Sequence, residues 1–294
     1  MIIEKEIAVS GGVIRTAKLR HEWFEFLDDP VAVVRTMRQA KATDLFTFLH
    51  DLNDKRPIYP FYKEPVGAAI LPITNYKLWW NGLAPSVRNK IRKAYKSGVE
   101  VIDAELDDNF ARGVETIYNE SPIRQRRKFC HYGQSAASIK EELSSLWGRY
   151  YLIGAYLRGE MIGFAKLFHG NDILRTVHII SKLSHRDKPV QDALIARAVQ
   201  ICEEKNIHFF QYGSWSTGGL GAFKEKRGFT MLDYWRYYVP ISYRGKLALQ
   251  FRLHHGLRGR LSGKWIASLV GIRTYWNNFR YGSFPTSDHL ANRT

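Results

Sequence analysis

Cysteine is scarce in this sequence of 294 residues, and long apolar runs are absent from it. The two cysteines, Cys130 and Cys202, lie far apart and match no metal-binding spacing, which excludes a disulfide framework and predicts a reducing compartment. No run approaches the roughly 18 apolar residues that a membrane-spanning helix needs. The N-terminus, MIIEKEIAV, carries acidic residues and does not have the pattern of a signal peptide. We therefore predict a cytoplasmic protein.

Acidic residues are few compared with basic ones, 28 against 44, and the formal net charge is +16. The basic residues concentrate over 86–98, over 124–128 and in the segment after residue 241. Such a balance predicts an anionic partner, which is nucleic acid, a phosphorylated cofactor or a membrane surface. Hydrophobic residues make up 45% of the chain and aromatic residues 14%, which is enough for a folded core.

The stretch over 174–229 predicts the elements around which the chain is organised. Residues 174–183 alternate and are rich in β-branched side chains, which predicts a strand. We predict a helix over 190–205, a buried strand over 206–214 and then a short basic helix that ends at Gly228. Two strands joined through a helix imply a right-handed crossover in one sheet, with ligands beyond the carboxyl ends of the strands.

Residues 1–85 predict a small mixed region. The pattern indicates helices over 21–40 and 42–52, and one or two strands within 65–83. A short basic helix over 85–98 is the predicted domain junction.

The order of elements from 99 to 241 predicts an α/β chain with a mixed sheet. A helix over 106–120 and another over 138–149 flank a loop, and the alternation over 150–181 predicts three antiparallel strands. With strands over 99–105 and 230–241, the order is β-α-α-β-β-β-α-β-α-β.

This order resembles the GNAT superfamily of N-acyltransferases. In that family a fourth strand leads through a phosphate-binding loop into a helix, a fifth strand splays away, and acyl-CoA lies in the V between the two strands. Residues 174–181, 182–188, 189–205 and 207–213 match these four parts in order. SHRDKPVQDA stands where the family usually has Arg/Gln-x-x-Gly-x-Gly/Ala, and residues 222–229 are similar to its late helix followed by Gly-Phe.

A second resemblance lies in RNKIRKA followed by SGV, which is similar to the linker of Fem-type aminoacyltransferases and related FemAB-like proteins. Those proteins stack two GNAT-like domains and use aminoacyl-tRNA. Their Phe-Lys pair near the reacting centre matches Phe223-Lys224. The resemblance implies four parts of the chain: a reduced FemAB-like region at 1–85, a linker helix at 86–98, a GNAT-like domain at 99–241 and a basic extension at 242–294.

Amide formation needs an unprotonated amine, a polarised carbonyl and help for the leaving group. Glu120, His131 and Tyr212 are the candidates for accepting the proton of the amine. Each has a structural alternative: Glu120 caps a helix or pairs with Arg124, His131 is a solvated loop residue, and Tyr212 packs in the core. A backbone N–H near Ser181 is the candidate for polarising the carbonyl.

A phosphate site is predicted at the start of helix 190–205, where unpaired N–H groups meet basic side chains. The predicted cofactor-binding residues are Ser181, Lys182, His185, Arg186, Lys188 and Phe223. The alternative is that Asp187 pairs with a neighbouring cation in a solvated loop.

Lys224 is the cation predicted at the reacting centre, where it stabilises oxyanion charge or holds a phosphate. The alternative is a solvated basic helix face. The predicted substrate-binding residues are Arg124, Arg127, Tyr132 and Ser214. An acidic acceptor such as a nucleotide-sugar or a phosphorylated glycan suits this basic loop, and a solvated loop is the alternative. Cys130 is predicted to be packed rather than nucleophilic.

These observations predict an N-acyltransferase that moves an acyl group from acyl-CoA to a primary amine of a small-molecule or glycan-type acceptor, with no metal. The alternative donor is aminoacyl-tRNA. A non-catalytic protein that binds nucleic acid or a membrane surface is the alternative of another class. Residues 242–280 are predicted to contact an anionic membrane, or to pack as an amphipathic helix on the domain.

Overall fold

The computed structural model describes residues 7–24, 26–50, 59–125, 127–144 and 150–255. Twelve strands lie within these ranges: β1 (Ile7–Ser10), β2 (Thr16–Leu19), β3 (Leu45–Leu49), β4 (Tyr62–Pro72), β5 (Val99–Ala104), β6 (Ile123–Arg124), β7 (Arg127–Lys128), β8 (Tyr150–Leu157), β9 (Glu160–Gly170), β10 (Ile173–Ser181), β11 (Phe209–Ser214) and β12 (Thr230–Pro240). The helices of the same ranges are α1 (Pro30–Ala40), α2 (Tyr76–Gly82), α3 (Pro85–Lys96), α4 (Asp108–Tyr118), α5 (Ala136–Ser144), α6 (Val190–Glu204), α7 (Gly219–Glu225) and α8 (Tyr243–Gln250). A 3₁₀ turn follows at Leu253–His255.

Ten of the strands form one mixed sheet in the order β1-β2-β3-β12-β4-β11-β10-β9-β8-β5. The β2–β3 and β10–β11 pairs are parallel, whereas the other neighbours are antiparallel. The predicted α/β class with a mixed sheet is therefore confirmed. Strand β12 inserts between β3 and β4, so the sheet is continuous from the N-terminal region into the residues predicted as the GNAT-like domain. The domain boundaries themselves stay a prediction.

Local interactions explain where two of the helices begin and where two of the hairpins turn. Asp29 caps α1 by accepting from the backbone N–H of Ala32 at 3.0 Å, and Asp107 caps α4 in the same way. The predicted three-stranded meander is present as β8, β9 and β10. Its two-residue turns, Arg158-Gly159 and Asn171-Asp172, have positive φ angles at both positions, as a type I′ hairpin turn requires.

Two predictions for the N-terminal region were wrong. The segment predicted as a helix over 42–52 contains strand β3, whose five side chains are all buried. Because β3 lies between β2 and β12 with both faces covered, its apolar run lacks the alternation that marks a half-exposed strand. Within 65–83, only the first part is a strand. The second part is α2, which begins where the Asn75 side chain accepts from the N–H of Leu78 at 2.8 Å.

Strands β10 and β11 pair over only three residues and then diverge. The paired residues are Ile173–Arg175 and Phe209–Gln211. The hydroxyl of Thr176 donates to the carbonyl of Gln211 at 3.1 Å, and β10 then bulges before His178. Beyond this point the two strands leave an opening in the sheet. This is the V that the GNAT resemblance implied.

Helices cover both faces of the sheet beside this opening. Helices α2, α3 and α6 pack on one face against residues of β8, β9, β10 and β11. Helices α4 and α5 pack on the other face against β8 and β9. Within the described ranges, every helix is too short or too polar to cross a bilayer.

The C-terminal extension begins with a helix, α8. Its residues from 256 onward, including most of the predicted membrane-contacting segment, lie outside the described residues. Ser242 caps α8 and donates to the carboxylate of Asp44 at 2.7 Å. Gly245 lies against the backbone of Asp44, where a Cβ would come within 1.9 Å of the carbonyl oxygen. Helix α8 therefore rests directly on the start of β3.

We predict that Gly245→Ala lowers the free energy of unfolding by about 1 to 3 kcal/mol, because the added methyl group must push α8 away from Asp44. The measurement is urea unfolding followed by circular dichroism. Gly82→Ala is the matched control, since a Cβ there meets no atom within 4 Å. Equal stability of the two variants would show that α8 does not rest on β3 in solution.

Candidate functional site

A cavity of about 760 Å³ lies where the loop after β10 enters α6. Its walls also include α3, the β6–β7 hairpin and Phe223 of α7. Seven basic side chains line it: Lys90, Lys93, Arg124, Lys128, Lys182, Arg186 and Lys188. The acidic side chains in the lining are Asp187 and Asp192. The cavity therefore has the charge of a site for a polyanion.

Helix α6 can approach the sheet closely because β9 has a glycine beneath its first turn. A Cβ at Gly163 would lie 2.6 Å from a methyl group of Val190, so a larger side chain would push the helix outward. Val190 is the first residue of α6 and is fully buried. The close contact fixes the position of the loop that lines the cavity.

The loop over 182–188 is held in place by the carboxylate of Glu120. This carboxylate accepts from the backbone N–H of Leu183 at 2.5 Å, the N–H of Ser184 at 2.8 Å and the hydroxyl of Ser184 at 2.7 Å. Arg124 contacts the same carboxylate at 3.3 Å, as the structural alternative for Glu120 predicted. Glu120 thus occupies the backbone amides that an anionic ligand would otherwise use.

Other amides of this loop and of the α6 N-terminus are also paired within the chain. The N–H of Lys182 donates to Ile162, and the N–H of Arg186 donates to Leu183. At the start of α6, the N–H groups of Val190 and Asp192 donate to the carbonyls of Lys188 and Pro189. The sequence predicted unpaired amides here. Without glycine the loop instead forms tight turns in which several of these N–H groups bond to nearby carbonyls.

Arg124 forms one wall of the cavity and is held by main-chain carbonyls. It donates to Ser181 at 2.8 Å and to Ile117 at 2.6 Å, and its guanidinium lies 5.0 Å from the ring centroid of Phe129. Arg124 therefore ties the end of β10 to the end of α4. This brings a predicted substrate-binding residue to the cavity, together with Lys128 from the same hairpin.

Five of the six predicted cofactor-binding residues line the cavity, and His185 is not among its lining residues. The Nδ1 of His185 instead lies 3.1 Å from the hydroxyl of Ser184. Lys188 pairs with Asp187 at 2.9 Å, which is the predicted alternative for this loop. Lys182 pairs with Glu160.

Lys224 is buried, with only 2% of its surface exposed, so the alternative of a solvated helix face was wrong. Its ammonium group donates to the carbonyl of Ser214 at 2.5 Å and to the hydroxyl of Ser216 at 3.3 Å. It also lies 5.2 Å from the ring centroid of Tyr212. All three contacts are to neutral groups, and burial lowers the pKa of Lys224.

Tyr212 and His131, two of the predicted bases, are packed against other side chains. Tyr212 lies between the rings of Phe223 and Phe229, and burial raises its pKa to about 12, so it keeps its proton at neutral pH. His131 packs 4.6 Å from the ring of Tyr118, and its Nδ1 lies 3.5 Å from a carboxylate oxygen of Glu142. His131 is not among the residues that line the cavity.

A buried ion pair that the sequence did not predict supports Phe223. Arg227 pairs with Asp192, donates to the carbonyl of Phe223 at 2.6 Å and lies 3.3 Å from the centroid of its ring. Burial raises the pKa of Asp192, and the charge of Arg227 only partly offsets this effect. The pair joins the first turn of α6 to the turn after α7. The sequence did not predict it because the two residues lie far apart in the chain and belong to no common local pattern.

The remaining predicted substrate residues lie elsewhere. Arg127 and Tyr132 are exposed and are not in the lining of the cavity. Ser214 borders a second, smaller cavity. Cys130 is exposed and borders the main cavity, so the prediction of a packed cysteine was wrong.

The described residues include one group with the composition of a metal site. Glu64, His254 and His255 bring their ligand atoms within 4.8 Å of one another. The hydroxyl of Tyr62 donates to Glu64 at 2.8 Å. None of these residues lines the main cavity.

We predict that Glu120→Gln destabilises the protein at pH 7 by about 1 to 3 kcal/mol, because a charged acceptor of several hydrogen bonds is lost. Burial alone would raise the pKa of Glu120, but the bonds from Leu183 and Ser184 outweigh it, and the pKa lies below the ordinary 4.5. A lowered pKa contributes stability above the unfolded value, and this contribution is lost as the pH falls through the folded value.

The difference in unfolding free energy between the two proteins should therefore be present at pH 7 and should shrink below about pH 4.5. Urea unfolding at pH 7 and at acidic pH measures it. Glu105→Gln, at an exposed position before α4, is the control and should behave like the unchanged protein. A difference that does not depend on pH would mean that Glu120 acts through its shape rather than its charge.

No protein-family model matches this chain, and no curated protein is similar to it. Solved structures do share its fold. FemX has a TM-score of 0.61 and 11% identity, covering 84% of this chain and 86% of its own. L-PGS from Bacillus licheniformis has a TM-score of 0.57 and 14% identity, covering 87% and 86% of the two chains.

A third similar structure is the C-terminal domain of a proposed lysylphosphatidylglycerol synthetase from Agrobacterium fabrum. It has a TM-score of 0.58 and 14% identity, and the match covers 85% of this chain and 86% of that one. At such identities the similarity concerns the fold. The chain has a GNAT/FemAB-like fold, which confirms the resemblance found in the sequence.

Proposed function

We propose that this protein is a transferase that moves an aminoacyl group from aminoacyl-tRNA to an amine. One observation carries the proposal: a large cavity beside the splayed strands is lined by seven basic side chains, whereas its loop amides are bonded to Glu120. Of the two donors predicted from the sequence, aminoacyl-tRNA is the one that this arrangement favours.

Glu120 makes the loop a poor cradle for the pyrophosphate of CoA. A pyrophosphate bound by a loop and a helix N-terminus needs backbone N–H groups that are free to donate. Here the amides of Leu183 and Ser184 already donate to a carboxylate that stays ionised, since its pKa is lowered. A pyrophosphate at the same place would meet a negative charge instead of free donors.

Lysine and arginine side chains suit the phosphates of an RNA end better. Lys90 and Lys93 lie on α3, Lys128 lies on β7, and Lys188 precedes α6, so the cations surround the cavity. Such side chains follow a phosphate backbone without a fixed cradle. The ring of Phe223 borders the same space and offers an aromatic surface on which a terminal base can stack.

The similar structures support the kind of reaction. Lysylphosphatidylglycerol, named in one of them, is a product that carries an aminoacyl group. The Fem-type resemblance implies aminoacyl-tRNA as donor, and Phe223-Lys224 matches the pair that lies near the reacting centre in that family. In this structure the pair stands at the opening between β10 and β11, with Phe223 at the cavity and Lys224 behind it.

The proposed reaction is a direct transfer. The nitrogen of the unprotonated amine attacks the ester carbonyl carbon, a C–N bond forms, and the C–O bond to the ribose breaks. The amine loses one proton and the departing ribose oxygen gains one. Negative charge develops on the carbonyl oxygen, and Lys224 supplies a buried positive charge whose contacts are otherwise neutral.

The second candidate is an N-acyltransferase that uses acyl-CoA. It is favoured by the opening between β10 and β11, because the GNAT resemblance places acyl-CoA in this V. The acceptor in either case is a primary amine, for which the sequence proposed a small molecule or a glycan. The proposed location is the cytoplasm, where aminoacyl-tRNA is available.

We predict that Lys224→Met lowers the transfer rate at least about 100-fold while aminoacyl-tRNA binding stays unchanged, because the buried charge acts on the developing oxyanion. Methionine keeps most of the side-chain volume, so the fold should be retained, as checked by circular dichroism. Lys226→Met, at an exposed position at the end of the same helix, is the control. A folded Lys224→Met protein with full transfer activity would contradict the role of Lys224.

We predict that replacing Lys90, Lys93 and Lys128 together by glutamine weakens tRNA binding and makes it less dependent on salt. Three lost phosphate contacts should reduce the slope of log K against log salt by about two to three. Fluorescence anisotropy with labelled tRNA at several salt concentrations measures this slope. The control is the matched triple change of Lys41, Lys205 and Lys246, which lie outside the cavity.

Thermal unfolding of the unchanged protein with acetyl-CoA or tRNA, together with a transfer assay, separates the candidate functions. Stabilisation by acetyl-CoA with no response to tRNA would favour the acyl-CoA enzyme. Binding of tRNA with the predicted salt slope, but without transfer to any amine, would favour a non-catalytic nucleic-acid-binding protein.

A further inference from the structure

A second cavity, of about 140 Å³, lies where β10 and β11 begin to diverge. Its lining residues are Trp23, Phe24, Arg175, Thr176, Gln211, Gly213 and Ser214. Leu174 and Phe210 pack on the α6 side of the sheet, and side chains alternate along a strand. Arg175 and Gln211, the next residues, therefore point to the opposite face. The small cavity and α6 lie on different sides of the same opening.

Arg175 is an unusual residue in this position because it is about 1% exposed and has no acidic partner among the described residues. Its Nη1 donates to the carbonyl of Gly170 at 2.7 Å, and its guanidinium lies 5.2 Å from the ring centroid of Phe26. Within the described ranges, its Nε and Nη2 atoms have no hydrogen-bond partner.

The two unpartnered atoms share one edge of the guanidinium. Nε and Nη2 are the pair of donors that a carboxylate accepts side by side, in the bidentate geometry that arginine favours. A buried charge without a partner is strongly destabilising, so such a group is expected to serve an anion. Nearby, Lys224 donates to Ser214, and Arg227 pairs with Asp192 and donates to Phe223. Within the described ranges, Arg227 has one unpartnered nitrogen, Nε, whereas Arg175 has two and no acid beside them.

We infer that the small cavity binds a carboxylate of the acceptor through Arg175. Two features select a small planar anion. The volume admits a carboxylate and a few carbon atoms, and the rings of Trp23 and Phe24 provide apolar walls around it. The hydroxyl of Tyr234 donates to Oε1 of Gln211 at 3.1 Å, which leaves the amide NH₂ group of Gln211 as a further donor.

The position of the cavity gives the acceptor its orientation. Strand β10 borders the small cavity at Arg175 and Thr176 and the large cavity at Ile179, Ile180 and Ser181. Three residues of strand span about 10 Å. A peptide whose carboxylate is held by Arg175 can thus place its amine some 10 Å away, at the donor site. This distance is close to the length of an extended tripeptide. This inference rests on the proposed transfer to an amine and names its acceptor as a peptide with a free carboxylate.

The first test is binding, which needs no donor. The ¹⁵N–Hε resonance of Arg175, assigned by its loss in Arg175→Lys, should shift when triglycine is added and should not shift with triglycine amide. Arg127→Lys, an exposed arginine outside both cavities, is the control and should leave the shift intact. Equal shifts with the two peptides, or a shift with glycerol phosphate but none with triglycine, would overturn the inference.

Glu25 is the acidic residue between Phe24 and Phe26 in the sequence, and it lies outside the described residues. The variant Glu25→Gln tests whether this carboxylate competes with the ligand for Arg175. Triglycine should bind this variant as well as it binds the unchanged protein. Clearly tighter binding would show that Glu25 already neutralises Arg175, and would overturn the inference of a site open to ligand.

The second test is transfer from aminoacyl-tRNA. Triglycine should be a better acceptor than its amide by roughly 10- to 100-fold in kcat/KM, and Arg175→Lys should abolish this preference, with its main effect on KM. If triglycine binds at Arg175 but is not acylated, the result contradicts the proposed function and still supports the carboxylate site. If triglycine and its amide are acylated equally, the result contradicts the carboxylate site and still supports the proposed transferase function.

Discussion

The carboxylate of Glu120 is the contact on which the arrangement of the site depends. It joins the end of α4 to the loop after β10 by accepting from the amides of Leu183 and Ser184. Because these two amides are occupied, they are not free to bind a phosphate, and the loop instead brings its basic side chains to the cavity. Arg124 reinforces the same junction by donating to the carbonyls of Ser181 and Ile117. The proposed anionic donor would then be bound mainly by lysine and arginine side chains.

The opening between β10 and β11 separates two environments that suit the two substrates of the proposed transfer. On the α6 side lies the large basic cavity, and on the other side lies the small cavity with Arg175. Lys224 stands behind the opening, with only neutral groups as its contacts. In contrast, Arg227 has its own acid, Asp192, and serves to hold Phe223 in place. Among these buried cations, an acidic partner thus distinguishes Arg227, whose charge is neutralised within the fold, from Lys224 and Arg175, which have no acidic partner among the described residues.

Many secondary-structure elements could be predicted from the sequence where the pattern is local. The meander over 150–181 was recognisable from its two turns. Helix α6 was recognisable from its apolar face, and α7 from its glycine-rich start and the stop at Gly228. The strand β3 was mistaken for a helix because it is covered on both faces and has no alternation. Helix α2 was mistaken for a strand because its apolar and aromatic residues resemble those of a buried strand.

The sequence by itself determined the fold class, the order of strand, loop, helix and strand over 174–214, and the abundance of positive charge, since these follow from periodicity and composition. Only the tertiary structure decided which charges meet. The loop amides that bond to Glu120 lie more than 60 residues away from it. Nothing in the neighbouring sequence of Arg175 indicates that two of its nitrogens lack a partner among the described residues. An unpaired charge is costly only where it is buried, and this cost is what indicates a ligand. Burial arises only when distant segments pack together, so a local sequence pattern does not show it.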